Sequence, residues 1–211
     1  MAESTSDLAV EIKNGKLVTP KIIDKVNSKI EKGSLSIVNA IIIHQTGSGN
    51  AQSSLSSYND GANGAHFLID KDGTIYQTAR INQKCWHVGN IRSRCGELKS
   101  CSADELKKIE AILFKKGEAY GVRIKNLSKH EMSKNYPDRY PTNEDSLGIE
   151  IVGSFDSKSD SYEIVNKQQN SSLTWLISVL QSSLSLSGND IYRHPEVSYK
   201  QASEAKTAQW K

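Results

Sequence analysis

The stretch VNAIIIHQTGSG, residues 38–49, decides how this chain is read. An aliphatic run carries a histidine to its very end and then gives way to small polar residues. The run IVNAIIIH, residues 37–44, suits a short strand buried on both faces. A core strand needs no imidazole at its end, whereas a metal site at the rim of a sheet does. A second run, DIYRH at residues 190–194, ends the same way. Ligands at the C-terminal ends of strands sit where a cleft can form. Neutral imidazole suits zinc, and catalytic zinc commonly takes three protein ligands. Taken singly, His44 or His194 reads better as a partly buried polar residue. Together, each ending a strand, they favour a shared metal.

Glu150 is the third signal, a carboxylate in the middle of the strand-like run SLGIEIVGSF, residues 146–155. Burying it without a partner would be costly. Two readings stand: it faces solvent on an edge strand, or it is a general base near the metal with its pKa raised by apolar neighbours.

Outward from these runs the pattern is that of one α/β domain with neither internal repeat nor interdomain linker. Residues 1–17 are polar and read as loose. The spacing of Ile22, Ile23, Val26 and Ile30 predicts a helix capped by Thr19, with Pro20 in its first turn and Gly33 as its stop. Residues 48–64 read as a long loop framing a cleft. AHFLIDKDGTIYQTA, residues 65–79, reads as a hairpin about Lys71-Asp72-Gly73. KCWHVGN then returns to a loop. An amphipathic helix follows Ser102, with Glu105 completing a capping pattern and Gly117 as its stop. NLSKHEMSKNYPDRYPTNED, residues 126–145, reads as an irregular insertion. Leu173, Leu176, Ile177, Leu180 and Leu184 mark one face of a later helix. The closing segment YKQASEAKTAQW also reads as a plain solvated helix.

The 211 residues suffice for one domain with a proper core, and the formal net charge of +3 is mild. No basic block alternates with aromatics, so nucleic acid is not the expected partner. No apolar run reaches membrane-spanning length, and the first residues lack a basic start followed by an apolar stretch. The expectation is synthesis in the cytoplasm without a leader. Of the three cysteines, Cys95 and Cys101 can close a small loop in an oxidising compartment; three free thiols, with Cys85, are the equal alternative.

The blocks AIIIHQTGS, GAHFLIDKDGTIYQ, CWHVGN, SLGIEIVG and YRHPEVS occur in that order. Together they resemble the zinc-dependent N-acetylmuramoyl-L-alanine amidases of the type 2 amidase and peptidoglycan-recognition superfamily. The resemblance spans roughly residues 38–206, apart from an insertion at about 92–145. It divides the chain into an N-terminal extension, 1–37, with one helix, and an amidase domain, 38–211. It implies a central mixed β-sheet flanked by helices, with a zinc cleft on one face. It also implies hydrolysis of the amide between N-acetylmuramic acid and L-alanine of the stem peptide by a zinc-bound water.

By position, His44 and His194 match the histidine ligands, and Glu150 matches a catalytic glutamate. His66 lies beside the site of a catalytic tyrosine in phage relatives, a site that Ala65 fills here. Trp86 and His87 match a pair lining the cleft. Relatives place an aspartate or cysteine ligand eight to ten residues after the second histidine, which selects Glu204. Their lysine two residues earlier is replaced by Ala202, so Lys200 or Lys206 supplies the charge, with Lys200 chosen. Lys200 or His87 would stabilise the oxyanion, and Tyr58, His66, Trp86, His87 and the loop would hold sugar and peptide. A peptidoglycan-binding module without catalysis is the alternative. The resemblance also carries two contexts for wall attack in the periplasm. One is an antibacterial effector with a cognate immunity protein, and the other is a phage lysin.

Overall fold

A computed structural model describes residues 10–211. Its centre is a mixed sheet in the order β3-β6-β5-β7-β4-β9, with β8 (Ser161–Tyr162) pairing onto the end of β7. The core strands are β4 (Ala40–Gly47), β7 (Ser146–Asp156), β5 (Phe67–Ile69) and β9 (Ile191–Arg193). β4 runs parallel to both β7 and β9, and β5 runs parallel to β7. Only the expected hairpin of β5 with β6 (Ile75–Gln77) is antiparallel along that path.

Side chains alternate across a strand, and the sheet uses both faces differently. Ile41, Ile43, Phe67, Ile69, Leu147, Ile149 and Ile151 point to one side. There they pack against Leu173, Leu176, Ile177 and Leu180 of α5 (Lys167–Leu184). That helix begins with a capping box in which the Asn166 and Gln169 side chains each bond the other's backbone N–H. Residues of opposite parity, Ala40 and Ile42, pack on the other side against Val88, Ile91, Tyr140 and Tyr192. His44 and Glu150 share that second parity.

Several sequence expectations give way in the structure. The helix from Thr19 does not form. Residues Ile22–Asp24 instead make β3, a parallel edge strand on β6, and Ser28–Ile30 form one short 3-10 turn. Adjacent β-branched residues favour extended backbone, and the ladder continues as Lys25 and Asn27 N–H donate to the Gln77 and Thr78 carbonyls. Residues 22–27 are therefore stitched onto the sheet edge, and residues 1–9 lie outside the described part. Residues 11–18 are not loose: β1 (Glu11–Lys13) and β2 (Lys16–Val18) form a hairpin about Asn14 and Gly15, both at positive φ.

The insertion is also more regular than expected. α1 (Ala51–Ser57) stands within the 48–64 loop. Cys95 and Cys101 are joined by a disulfide that encloses α2 (Arg94–Glu97), while Cys85 is a buried free thiol. α3 (Ala103–Leu113) has the expected Ser102 cap, and α4 (Tyr120–Met132) occupies much of the stretch read as irregular. The buried face of α4 is Ile124, Leu127, Ser128 and Glu131, only half of it apolar. The closing segment 199–210 makes turns rather than a helix.

Ile43 is fully buried in the middle of β4. Ile43→Ala is expected to lower unfolding free energy by about 2–5 kcal/mol in urea denaturation. Ile164→Ala, at a side chain 75 % exposed, should change it by no more than about 0.5 kcal/mol.

Candidate metal and catalytic centre

The register of the central strands sets His44 opposite Glu150 on β7, and Ile43 opposite Arg193 on β9. The residue after Arg193 is His194, where β9 ends and the short helix α6 (His194–Val197) starts. The Nδ1 atoms of His44 and His194 stand 2.8 Å apart. Glu204 Oε1 lies 2.9 Å from the His194 Nδ1 and 3.5 Å from the His44 Nδ1. All three residues are buried, and their ligand atoms meet within 4.8 Å of one another.

Glu204 comes from the closing turns and needs its own fastening. Gln45, next to His44 on β4, accepts a hydrogen bond from the Ala205 N–H through Oε1 and donates through Nε2 to the Glu163 carbonyl. Arg193 donates to the carbonyls of Ala205 and Ala208. Neither Gln45 nor Arg193 was marked by sequence reasoning. The polar residue just past a strand-terminal histidine is the signal that would have found Gln45.

The donor set fits a divalent cation. His194 Nε2–H donates to the Val88 carbonyl, 2.8 Å away. His194 Nδ1 is thereby turned toward a carboxylate and a second imidazole. Burial and His194 push the His44 pKa down to about 4, so its ring is neutral near pH 7. Burial acts to raise Glu204, but the adjacent imidazoles of His194 and His44 outweigh it and hold the carboxyl at about 2. Two imidazole nitrogens and a carboxylate oxygen thus meet at one point, an arrangement that a cation can bridge. Two histidines and a carboxylate with room for a fourth ligand match the chemistry of catalytic zinc.

Glu150 faces the same cleft, with one carboxylate oxygen buried and unpartnered. Burial, with Glu204 next, raises its pKa to about 8 against the opposing pull of Lys200. Lys200 is exposed at the cleft mouth. The cleft has a volume of about 470 Å³, and the half-exposed Trp86 and Tyr162 line it. A side pocket of about 170 Å³ opens beyond Glu150, walled by Thr46, Ser54, Ser57, Tyr58 and Asn63. A larger groove of about 600 Å³ beside β3 holds no such donor set.

Two expected contacts are placed elsewhere. His66 is fully buried: its Nδ1 accepts from the Gly148 N–H and its Nε2–H donates to the Gln83 carbonyl, so it has nothing left for substrate. His87 touches the cleft, but its Nδ1 lies 3.0 Å from His44 Nε2 and its Nε2 faces Ser146. It is not free to meet an oxyanion. A second cluster, Glu105, His130 and Glu131, also gathers metal-type side chains. There the Lys134 ammonium already stands 2.5 Å from Glu105 and 2.7 Å from Glu131.

A family model described as N-acetylmuramoyl-L-alanine amidase matches residues 34–208. The chain belongs to that family. The fold agrees with solved structures of low identity. One is the N-acetylmuramoyl-L-alanine amidase LysC from Clostridium intestinale URNW, with 21 % identity, 90 % of this chain and 92 % of that chain covered, and a TM-score of 0.51. Another is a selenomethionine derivative of AmpD, with 15 % identity, 89 % and 87 % covered, and a TM-score of 0.52. No curated protein sequence matches the chain. Among the described residues no helix is long and apolar enough to cross a membrane.

Titration of chelator-treated protein with zinc should reveal one tight site. Glu204→Gln is expected to weaken it at least about tenfold, in line with loss of a charged ligand. Glu105→Gln, in the cluster filled by Lys134, should leave the titration unchanged.

Proposed function

We propose that this protein is a zinc-dependent peptidoglycan amidase that hydrolyses the bond between the lactyl group of N-acetylmuramic acid and L-alanine of the stem peptide. The observation that carries the reading is the divergence of two neighbouring carboxyls in one cleft. Glu204 is held ionised among imidazoles, while Glu150 is pushed up to about 8 with an unpartnered oxygen. Paired groups whose environments drive their pKa values apart mark acid and base roles. A module that only binds wall fragments has no use for a buried carboxyl left without a partner.

His44, His194 and Glu204 would hold the metal. Zinc, when bound, supplies a Lewis acid that polarises a carbonyl and lowers the pKa of water toward 7. Glu150 takes a proton from the attacking water and returns it to the nitrogen of L-alanine as the C–N bond breaks. The water oxygen ends in the lactyl carboxylate. Lys200 stands where a cation can oppose the charge developing on the carbonyl oxygen. Trp86 and Tyr162 offer aromatic faces at the rim. Tyr58, with the hydroxyls of the side pocket, lies on the Glu150 side, where the leaving peptide departs.

The Cys95–Cys101 disulfide supports action in an oxidising compartment such as the cell envelope. Within this reading the protein is an antibacterial effector or a phage lysin. For an effector, a cognate immunity protein would be the second partner.

Mass spectrometry of a muropeptide digest tests the bond and the metal together. The expected products are lactyl-bearing glycan and free stem peptides beginning with L-alanine, both lost with chelator and restored by zinc. Glu150→Gln should retain about one equivalent of zinc and lose at least about a hundredfold in kcat. Parent-like turnover in that variant, or hydrolysis unaffected by metal removal, would refute the assignment.

A further inference from the structure

We infer that His87 is a positioning residue for the metal centre, fixing the tautomer of His44 so that Nδ1 is the atom presented to the cation. The inference rests on the zinc reading above. It follows from groups whose hydrogen-bond roles admit no choice. The Ser146 hydroxyl donates to the Thr142 carbonyl at 2.6 Å, which leaves only lone pairs on that oxygen. The Ser146 hydroxyl oxygen and backbone carbonyl both stand 3.4 Å from His87 Nε2. Both can only accept, so His87 Nε2 carries the proton. A neutral ring with its proton on Nε2 has a bare Nδ1. That nitrogen lies 3.0 Å from His44 Nε2, which donates to it. The other nitrogen of His44, Nδ1, is the one turned toward His194 and Glu204.

The seat of His87 is built for this task. A Cβ at position 148 would stand 2.9 Å from the His87 Nδ1 and 3.0 Å from its Cγ, so the ring needs glycine beneath it on β7. The Asn143 side-chain oxygen accepts from the backbone N–H groups of both His87 and Val88, at 2.9 Å each. Asn143 thus fixes two supports at once: His87 behind His44, and the Val88 carbonyl that accepts from His194. Metal-bound histidines are generally oriented by an acceptor on their second nitrogen, and losing it weakens metal binding by about 10–100-fold. Here the acceptor for one ligand is another imidazole, itself oriented by a serine.

Nitrogen-15 NMR of the metal-free parent protein reads the tautomer directly. His44 is expected with its proton on Nε2, and finding it on Nδ1 would overturn the inference without any variant. In His87→Ala, the His44 signals should shift toward a mixture of tautomers. Zinc affinity, measured by competition with a chromophoric chelator, should fall about 10–100-fold. His87→Asn, whose amide oxygen can stand near the lost Nδ1, should recover most of both. Equal zinc affinity in the parent, Ala and Asn proteins, with an unchanged His44 tautomer, would refute the role. The tautomer measurement needs neither metal nor substrate, so a protein inactive on muropeptides leaves this inference still decided.

Discussion

The parallel pairing of β4 with β7, in the register that sets His44 against Glu150, is the constraint on which the rest depends. Neighbouring strands lie about 4.8 Å apart, so this register brings an imidazole and a carboxyl to the same level on the same face. A slip of one residue would turn Glu150 toward α5 and into an apolar core. β9 on the far side of β4 brings His194 to the same rim. Two candidate metal ligands and the proposed acid–base group are thereby fixed by backbone ladders. Glu204 is the exception. It sits on irregular chain, and the structure spends Gln45 and Arg193 on holding the turns that carry it.

The chemistry of the centre follows from how its charges are enclosed. Burial holds the pKa values of the His44 and His87 imidazoles down. A carboxyl among them is kept ionised, and a second carboxyl facing the first is pushed toward its protonated form. Both carboxyls are enclosed by protein; their different neighbours separate them. Lys200 pulls Glu150 the other way from the cleft mouth.

Much of this was legible in the sequence because it is written in short-range patterns. The aliphatic runs ending at His44 and His194, the hairpin about Lys71-Asp72-Gly73, and the leucine face of α5 each follow one local rule. The errors arose where local rules conflict. Ile22, Ile23, Val26 and Ile30 have helical spacing, yet a waiting sheet edge at β6 recruits Ile22 and Ile23 as strand. α4 was missed because Ser128 and Glu131 fill half of its buried face, and Glu131 is tolerated there through Lys134. The Asn14-Gly15 pair does mark its turn, although three-residue strands gave it little flanking pattern. Within the site, the candidate ligands were accessible from strand ends. The engagement of His66 and His87 was not, because it depends on which carbonyls and hydroxyls lie within reach after folding.

The two faces of the sheet divide the labour of the protein. α5 and its apolar partners cover one face, and the cation-binding trio, Glu150 and His87 lie on the other. Odd-numbered residues of β4 and β7 therefore answer to packing, and even-numbered residues near their ends answer to chemistry. Repacking beneath α5 offers a route to a thermally hardened protein that leaves the cleft alone. Retargeting toward another wall chemistry would draw on a separate set of positions, so the two kinds of change can be selected in parallel libraries and then combined.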